Sequence, residues 1–168
     1  LYLSGQVSNL AKEGLILLND GERLPVPAGQ SSFVFTKLVK TDDRYDITIA
    51  EQPKGAVCSI TNGSGKATSY SVSTTVVSCT TNTYPLSGKI TGLTSGMVTL
   101  TMGPNSLSWL KDSTSFAFDV ADGAPYNIYV TKNPDGLLCT FDSSTSLDKR
   151  DIVGTMGSSA TSTSTLSC

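Results

Sequence analysis

The feature that most constrains this chain is that it repeats itself. Leu3-Ser4-Gly5 recurs 83 residues on as Leu86-Ser87-Gly88, with a tyrosine close before each copy (Tyr2, Tyr84) and Leu10 and Leu93 at matched distance after it. Phe33-Val34-Phe35 returns at the same offset as Phe116-Ala117-Phe118, and Leu24-Pro25-Val26 as Leu107-Ser108-Trp109. Further along the offset slips to 81: Tyr45-Asp46-Ile47-Thr48-Ile49 matches Tyr126-Asn127-Ile128-Tyr129-Val130, and the stretch ending at Cys58 matches the stretch ending at Cys139. The closing cysteines, Cys79 and Cys168, stand 89 apart, so the second copy carries about eight extra residues somewhere in 141–159. Two copies of this size, each closing on a cysteine, predict two small domains rather than one core: 1–80, and 84–168 with an insertion near 142–159.

Within each copy the pattern is that of strands. Val and Thr are β-branched and stiff at χ1, so runs such as Ser73-Thr74-Thr75-Val76-Val77 suit a pleated sheet and not a helix. Asn19-Asp20-Gly21 is a tight-hairpin signal, because Asp and Gly tolerate positive φ. The segment 24–27 reads as a short edge strand, since Pro25 and Pro27 cannot donate to a ladder. Residues 31–38 alternate with Phe33 and Phe35 on one face, and Tyr45, Ile47 and Ile49 alternate as one strand. The second copy repeats this at 84–90, 97–102, 106–110, 115–120, 126–131 and 137–141, with a last strand near 161–168. Seven or so short strands per copy, separated by Gly, Pro, Asn and Asp, predict an all-β fold of two tandem β-sandwiches.

Four cysteines allow three pairings. If each copy folds alone, the natural pairs are Cys58 with Cys79 and Cys139 with Cys168. The rival, metal ligation, lacks a Cys-x-x-Cys spacing, and with no histidine in the chain nothing of that kind completes a site. Disulfides in turn imply an oxidising compartment: secreted, periplasmic or cell-surface. Serine and threonine number 46 while charged residues are 15% of the chain, a polar and uncharged excess in keeping with that setting. The chain begins at Leu1 without methionine or a signal peptide, which reads as a mature or excised segment.

With these residues laid out, the chain resembles the tandem immunoglobulin-like repeats of bacterial secreted and surface proteins and lipoproteins. The matching features are the tyrosine followed by Leu-Ser-Gly-x-Val/Ile (residues 3–7 and 86–90), Gly-Leu-x-Leu at 14–17, Phe-x-Phe, and Pro-x-Gly-x-x-Cys followed by Asn62-Gly63-Ser64-Gly65. The second copy departs after Cys139, where Asp142-Ser143-Ser144-Thr145 stands instead. The resemblance implies immunoglobulin-like sandwiches and a display or spacer role. It implies no catalytic residues.

Composition excludes more than it selects. A net charge of −2 and a pI near 4.9 leave no electrostatic footprint for nucleic acid. No apolar stretch approaches the roughly 20 residues of a membrane-spanning helix. The absence of histidine removes Ser-His-Asp and Cys-His devices and the commonest general base. Carboxylates are the remaining catalytic option, and Asp42, Asp43 and Asp46, or Asp142, Asp148 and Asp151, read as solvated turn residues. Calcium near Asp42-Asp43 or Asn133–Asp135 lacks the Asp-x-Asp-x-Asp-Gly loop. Trp109, with Tyr126 and Tyr129, is the place for sugar stacking, but it falls where the first copy has Val26, an apolar strand position. The insertion carrying Asp148-Lys149-Arg150-Asp151 is the segment that breaks the repeat, and loops grafted on a rigid sandwich are where binding residues sit. The expectation is a non-enzymatic module with no cofactor, acting in adhesion or as a rigid spacer, whose partners are other domains of a parent chain, a surface protein or a glycan. The rivals are a carbohydrate-binding module of a secreted enzyme and an accessory subunit that lends a strand edge to a surface assembly.

Overall fold

A computed structural model describes all 168 residues, and they divide into two compact units, Leu1–Asn82 and Thr83–Cys168. The first unit contains β1 (Leu3–Ser8), β2 (Leu15–Asn19), β3 (Glu22–Val26), β4 (Ser32–Val34), β5 (Arg44–Asp46), β6 (Thr48–Glu51), β7 (Ala56–Thr61), β8 (Ser64–Lys66) and β9 (Val72–Thr81). They form one sheet in the order β4-β1-β9-β7, a second in the order β3-β2-β6, and a short β5-β8 pair. Leu3, Val7, Phe33 and Val77 of the first sheet close on Leu15, Leu17 and Val26 of the second. The apolar alternation of each strand is thus spent on a shared interior.

The second unit has β10 (Thr83–Thr91), β11 (Met97–Met102), β12 (Asn105–Leu110), β13 (Ser115–Ala121), β14 (Pro125–Lys132), β15 (Thr140–Phe141), β16 (Asp151–Thr155), β17 (Thr161–Ser162) and β18 (Leu166–Ser167). Its sheets run β13-β10-β18-β15, with β17 also on β10, and β12-β11-β14-β16. The chain is therefore all-β, and each unit is a sandwich with its own interior. In both units the first strand lies not beside the second but between an antiparallel neighbour (β4 or β13) and the parallel last strand (β9, or β17 and β18).

Leu-Ser-Gly, the signature of the repeat, has a steric cause. Gly5 is the direct cross-strand partner of Phe33, and Gly88 of Phe116. A Cβ on either glycine would intrude on the partner's phenyl ring and on a backbone carbonyl, Thr75 O in one unit and Ser164 O in the other. The same device recurs at the far end of each sandwich, where Tyr45 lies over Gly65 and Tyr126 over Gly154. In each case a flat ring fills the space that the glycine leaves on the sheet surface.

Irregularities repeat as faithfully as strands. The ladder of β2 with β6 slips by one residue between Ile16 and Leu17, and that of β11 with β14 slips between Thr99 and Leu100, 83 residues on. The pairing of β1 with β9 also slips, between Leu3 and Gly5. On β10 the corresponding shift separates Leu86↔Thr161 from Ile90↔Leu166. At each the register shifts by one residue, the local signature of an extra residue in one strand.

Several expected strands are shorter than the sequence suggests. The alternation at Tyr45, Ile47 and Ile49 is split into β5 and β6 at buried Ile47, where the strand changes partner: its N–H donates to Gly63 C=O at 2.8 Å, extending the β5–β8 register, and Thr48 pairs with Leu18 of β2. The expected strand at 137–141 narrows to Thr140–Phe141. The last strand at 161–168 breaks into β17 and β18 around Ser164. The strand expected at 31–38 is regular only over Ser32–Val34, whereas its counterpart β13 runs unbroken for seven residues.

Glu22 explains that last difference. Its carboxylate accepts from Thr36 N–H at 2.9 Å, Thr36 Oγ1 at 2.9 Å and Lys37 N–H at 2.8 Å. At the equivalent positions in the second unit, Asp119 and Val120 stay in the ladder with β10, opposite Pro85 and Tyr84. Desolvation raises the Glu22 pKa, but the backbone bonds from Thr36 and Lys37, the Thr36 hydroxyl and the Lys37 charge outweigh it and hold the group below its ordinary 4.5. A depressed carboxylate contributes stability that is complete above the unfolded pKa and is lost as pH falls through the folded one.

Two outcomes are expected. Gly88→Ala forces Phe116 or the Ser164 backbone between β17 and β18 to move and lowers the stability of the second unit by about 1–3 kcal/mol or more, read by chemical unfolding. The protection of the Thr36 and Lys37 amides, with the intrinsic exchange rate divided out, is expected to fall as pH drops below 4.5, and Glu22→Gln removes that acid-specific component.

Candidate functional site

The insertion can be placed by geometry. Gly65 and Gly154, each under its tyrosine, are 89 residues apart, like the closing cysteines, whereas Cys58 and Cys139 are 81 apart. The extra chain therefore lies between Cys139 and Gly154. It is the loop that leads from β15 into β16, narrower than the expected span of 142–159.

This loop is laced by its own polar groups. The Ser144 and Ser146 hydroxyls lie 2.9 Å apart, Ser146 Oγ donates to Asp148 Oδ1 at 3.2 Å, and the Arg150 N–H donates to the same oxygen at 3.2 Å. Ser144 Oγ also donates to Asp151 Oδ1 at 3.4 Å. Lys149 adopts a φ of +54°, and its carbonyl accepts the Phe141 N–H at 2.8 Å. Arg150 turns inward, where Nη2 donates to Val130 C=O at 3.0 Å and Nε is buried without a hydrogen-bond partner. Of the four residues singled out in the sequence, Asp148, Arg150 and Asp151 thus hold the loop together, while Leu147 and Lys149 project from it into solvent.

The acidic residues serve turns. Asp43 Oδ2 accepts the Lys40 N–H at 3.0 Å, Asp42 takes a φ of +71° with Lys66 Nζ at 3.8 Å, and Asp46 N–H donates to Asn19 Oδ1. The cleft of about 830 Å³ beside them is lined by Lys37, Lys40, Asp43 and Arg44, and its Lys37 is paired with Asp20 at 2.6 Å. In the second unit Asp142 accepts from Ser167 Oγ at 2.7 Å, on a different partner from Asp148. No three His, Cys, Asp or Glu side chains converge in a way that suits a metal.

Strand register also scatters the aromatic group. Trp109 is half-buried and meets Phe116 and Phe118 edge-on, at centroid distances of 6.0 and 5.7 Å. Tyr126 covers Gly154 and packs on the same interior, whereas Tyr129 lies on the opposite face of β14, across from Asp151. The three rings form no common platform.

Two devices escape the sequence reading. Both first cysteines are clamped by an amide side chain six residues upstream: Gln52 accepts from the Cys58 N–H at 2.8 Å and donates to its carbonyl at 3.0 Å, and Asn133 accepts from the Cys139 N–H. Each disulfide then joins strands of one sheet, Cys58 directly opposite Cys79, and Cys139 and Cys168 continuing the β15/β18 register. The common offset of Gln52 and Asn133 was the available signal for the clamp.

No protein-family model matches the chain, and no curated protein sequence matches it. Among solved structures it is similar to the major pilin protein T3.2 of Streptococcus pyogenes serotype GAS13637, at 11% identity and a TM-score of 0.29 over 99% of this chain and 96% of that one.

Because the indole is engaged by two phenyl rings, titration of the oxidised protein with a panel of soluble polysaccharides is expected to leave Trp109 emission unchanged. Saturable quenching would instead assign the aromatic group to sugar binding.

Proposed function

We infer that this chain is a non-enzymatic module of an exported bacterial surface or secreted protein, acting in adhesion or as a rigid spacer. The observation that carries the reading is the pairing of all four cysteines as one disulfide per unit, with no free thiol. Such bonds persist in secreted and surface settings, and a sandwich of about 80 residues has a small core that gains from a covalent staple. The Gly–aromatic pairs, the register shifts and the amide side chains at the first cysteines occur in both copies, so what the copies share is the scaffold.

On this reading residues 1–80 and 84–168 fold as autonomous modules. Their partners are other domains of a parent chain, a surface protein or a glycan. The β15–β16 loop, with Leu147 and Lys149 outermost, is the segment that meets such a partner, and Asp148, Arg150 and Asp151 preorganise it.

The test uses the whole chain. Closing a loop of 21 or 29 residues is worth about 3 kcal/mol in the chain-entropy picture. The double variant Cys58→Ala/Cys79→Ala is therefore expected to lower one of two calorimetric transitions and leave the other in place. A single transition that shifts as a whole would overturn the modular reading. Binding screens of the oxidised protein against glycan and surface-protein arrays then separate adhesion from a spacer role.

A further inference from the structure

The edge strands β3 and β12 are the same strand of the repeat. Val98↔Trp109, Thr99↔Ser108 and Leu100↔Leu107 in the second unit reproduce Leu15↔Val26, Ile16↔Pro25 and Leu17↔Leu24 in the first, all at an offset of 83. Each is paired on one side only and ends its sheet.

The unpaired side can be identified residue by residue. Lys111 N–H donates to Gly96 C=O, so the pair preceding Met97↔Leu110 is a hydrogen-bonded one. Hydrogen-bonded and non-bonded pairs alternate in an antiparallel ladder. Trp109, Leu107 and Asn105 therefore bond to β11, and Ser106, Ser108 and Leu110 direct their N–H and C=O away from it. Consistently, Leu110 C=O is free of the ladder and accepts Ser113 N–H at 3.1 Å.

The two copies treat these three outward positions in opposite ways. In the first unit they are Arg23, Pro25 and Pro27: two prolines without an N–H, and an arginine paired to Glu51 at 2.7 Å. That is an edge blocked against further pairing. In the second unit they are Ser106, Ser108 and Leu110, and the whole of β12, Asn-Ser-Leu-Ser-Trp-Leu, contains neither charge nor proline. Every residue of it but Trp109 is exposed, and Leu107 stands at the mouth of a groove of about 340 Å³ shared with Ala117, Phe118 and Asp119 of β13.

We propose that β12 is a docking edge whose occupant is β12 of a second copy of this chain, paired antiparallel about a two-fold axis at Ser108. In that register Ser108 meets Ser108 of the partner and Ser106 meets Leu110, and these are the residues whose backbone groups point outward, the Leu110 C=O alone being taken by Ser113 N–H. Leu107 then lies across from the partner's Trp109 on the inner face, so the exposed leucine gains an apolar neighbour at each end of the pair. A two-fold interface sets every side chain near its axis against its own copy, and an uncharged, small residue at the centre meets that demand at no electrostatic cost. Six residues per strand give a contact smaller than the ~1,200 Å² of stable complexes, so the association is weak and is driven by high local concentration. It does not depend on where the protein resides.

Sedimentation velocity of the full oxidised chain over about 10 μM to 1 mM is expected to show a reversible monomer–dimer equilibrium. Ser108→Pro installs the first unit's own block at a position whose N–H makes no bond within the chain. It should weaken dimerisation at least tenfold, with far-UV circular dichroism and Trp109 emission unchanged. Ser108→Lys and Ser108→Glu should each be monomeric alone and associate when mixed in equal amounts. A wild-type chain that stays monomeric at 1 mM overturns the proposal. So does a Ser108→Pro dimer of undiminished strength, or a Lys/Glu mixture that remains monomeric while the wild type dimerises. If Ser108→Pro fails to fold, the Lys/Glu pair alone decides.

Discussion

Each sandwich is organised around one close approach, the packing of a phenyl ring onto a glycine in the first strand. Gly5 lies between Phe33 on one side and the carbonyl of Thr75 on the other, and Gly88 lies likewise between Phe116 and Ser164. A side chain there would push the first strand away from either its antiparallel or its parallel neighbour. Since that strand is the one element linking β4 to β9, or β13 to the β18 side, the integrity of the larger sheet depends on the missing Cβ. The ring does double duty: Phe116 also meets Trp109 and Phe141 edge-on, which carries the contact from one sheet across the interior.

The duplicated parts are those that fold the units, and the parts that differ are at edges and loops. Glu22 draws Thr36 and Lys37 out of the sheet in the first unit; Asn105 at the matching position does not, and β13 continues for seven residues. Pro25 and Pro27 close one edge that Ser108 and Leu110 leave open. The eight added residues between Cys139 and Gly154 build a loop stiffened by serine and aspartate while the disulfide beyond it keeps its register. Differences confined to such places leave both cores intact, because a loop or an outward-facing edge carries few interior contacts.

Much of this was legible in the sequence. The period exposed the two copies and the cysteine pairs, and Asn19-Asp20-Gly21 gave the β2–β3 turn, with Asp20 and Gly21 both at positive φ. Alternation located most strands. It missed where they break, since at Ile47 the strand changes partner from β8 to β2 and at Ser164 the hydroxyl accepts the Ser143 N–H, both set by residues remote in sequence. The insertion shows in the sequence as a break in the repeat, but that Asp148, Arg150 and Asp151 hold it together follows from hydrogen bonds that no spacing encodes.

What the sequence determined by itself was local and periodic: the β class, the repeated unit, and which residue stands at each matched position, such as proline at 25 against serine at 108. What only tertiary structure decided was which strands become neighbours. Pairing of the first strand with the last, in parallel and across some 70 residues, wins because it buries Leu3, Val7 and Val77 together, and that gain depends on the whole interior rather than on any window of the chain. The same pairing fixes which N–H groups point outward, and so turns a proline-to-serine difference into an open edge.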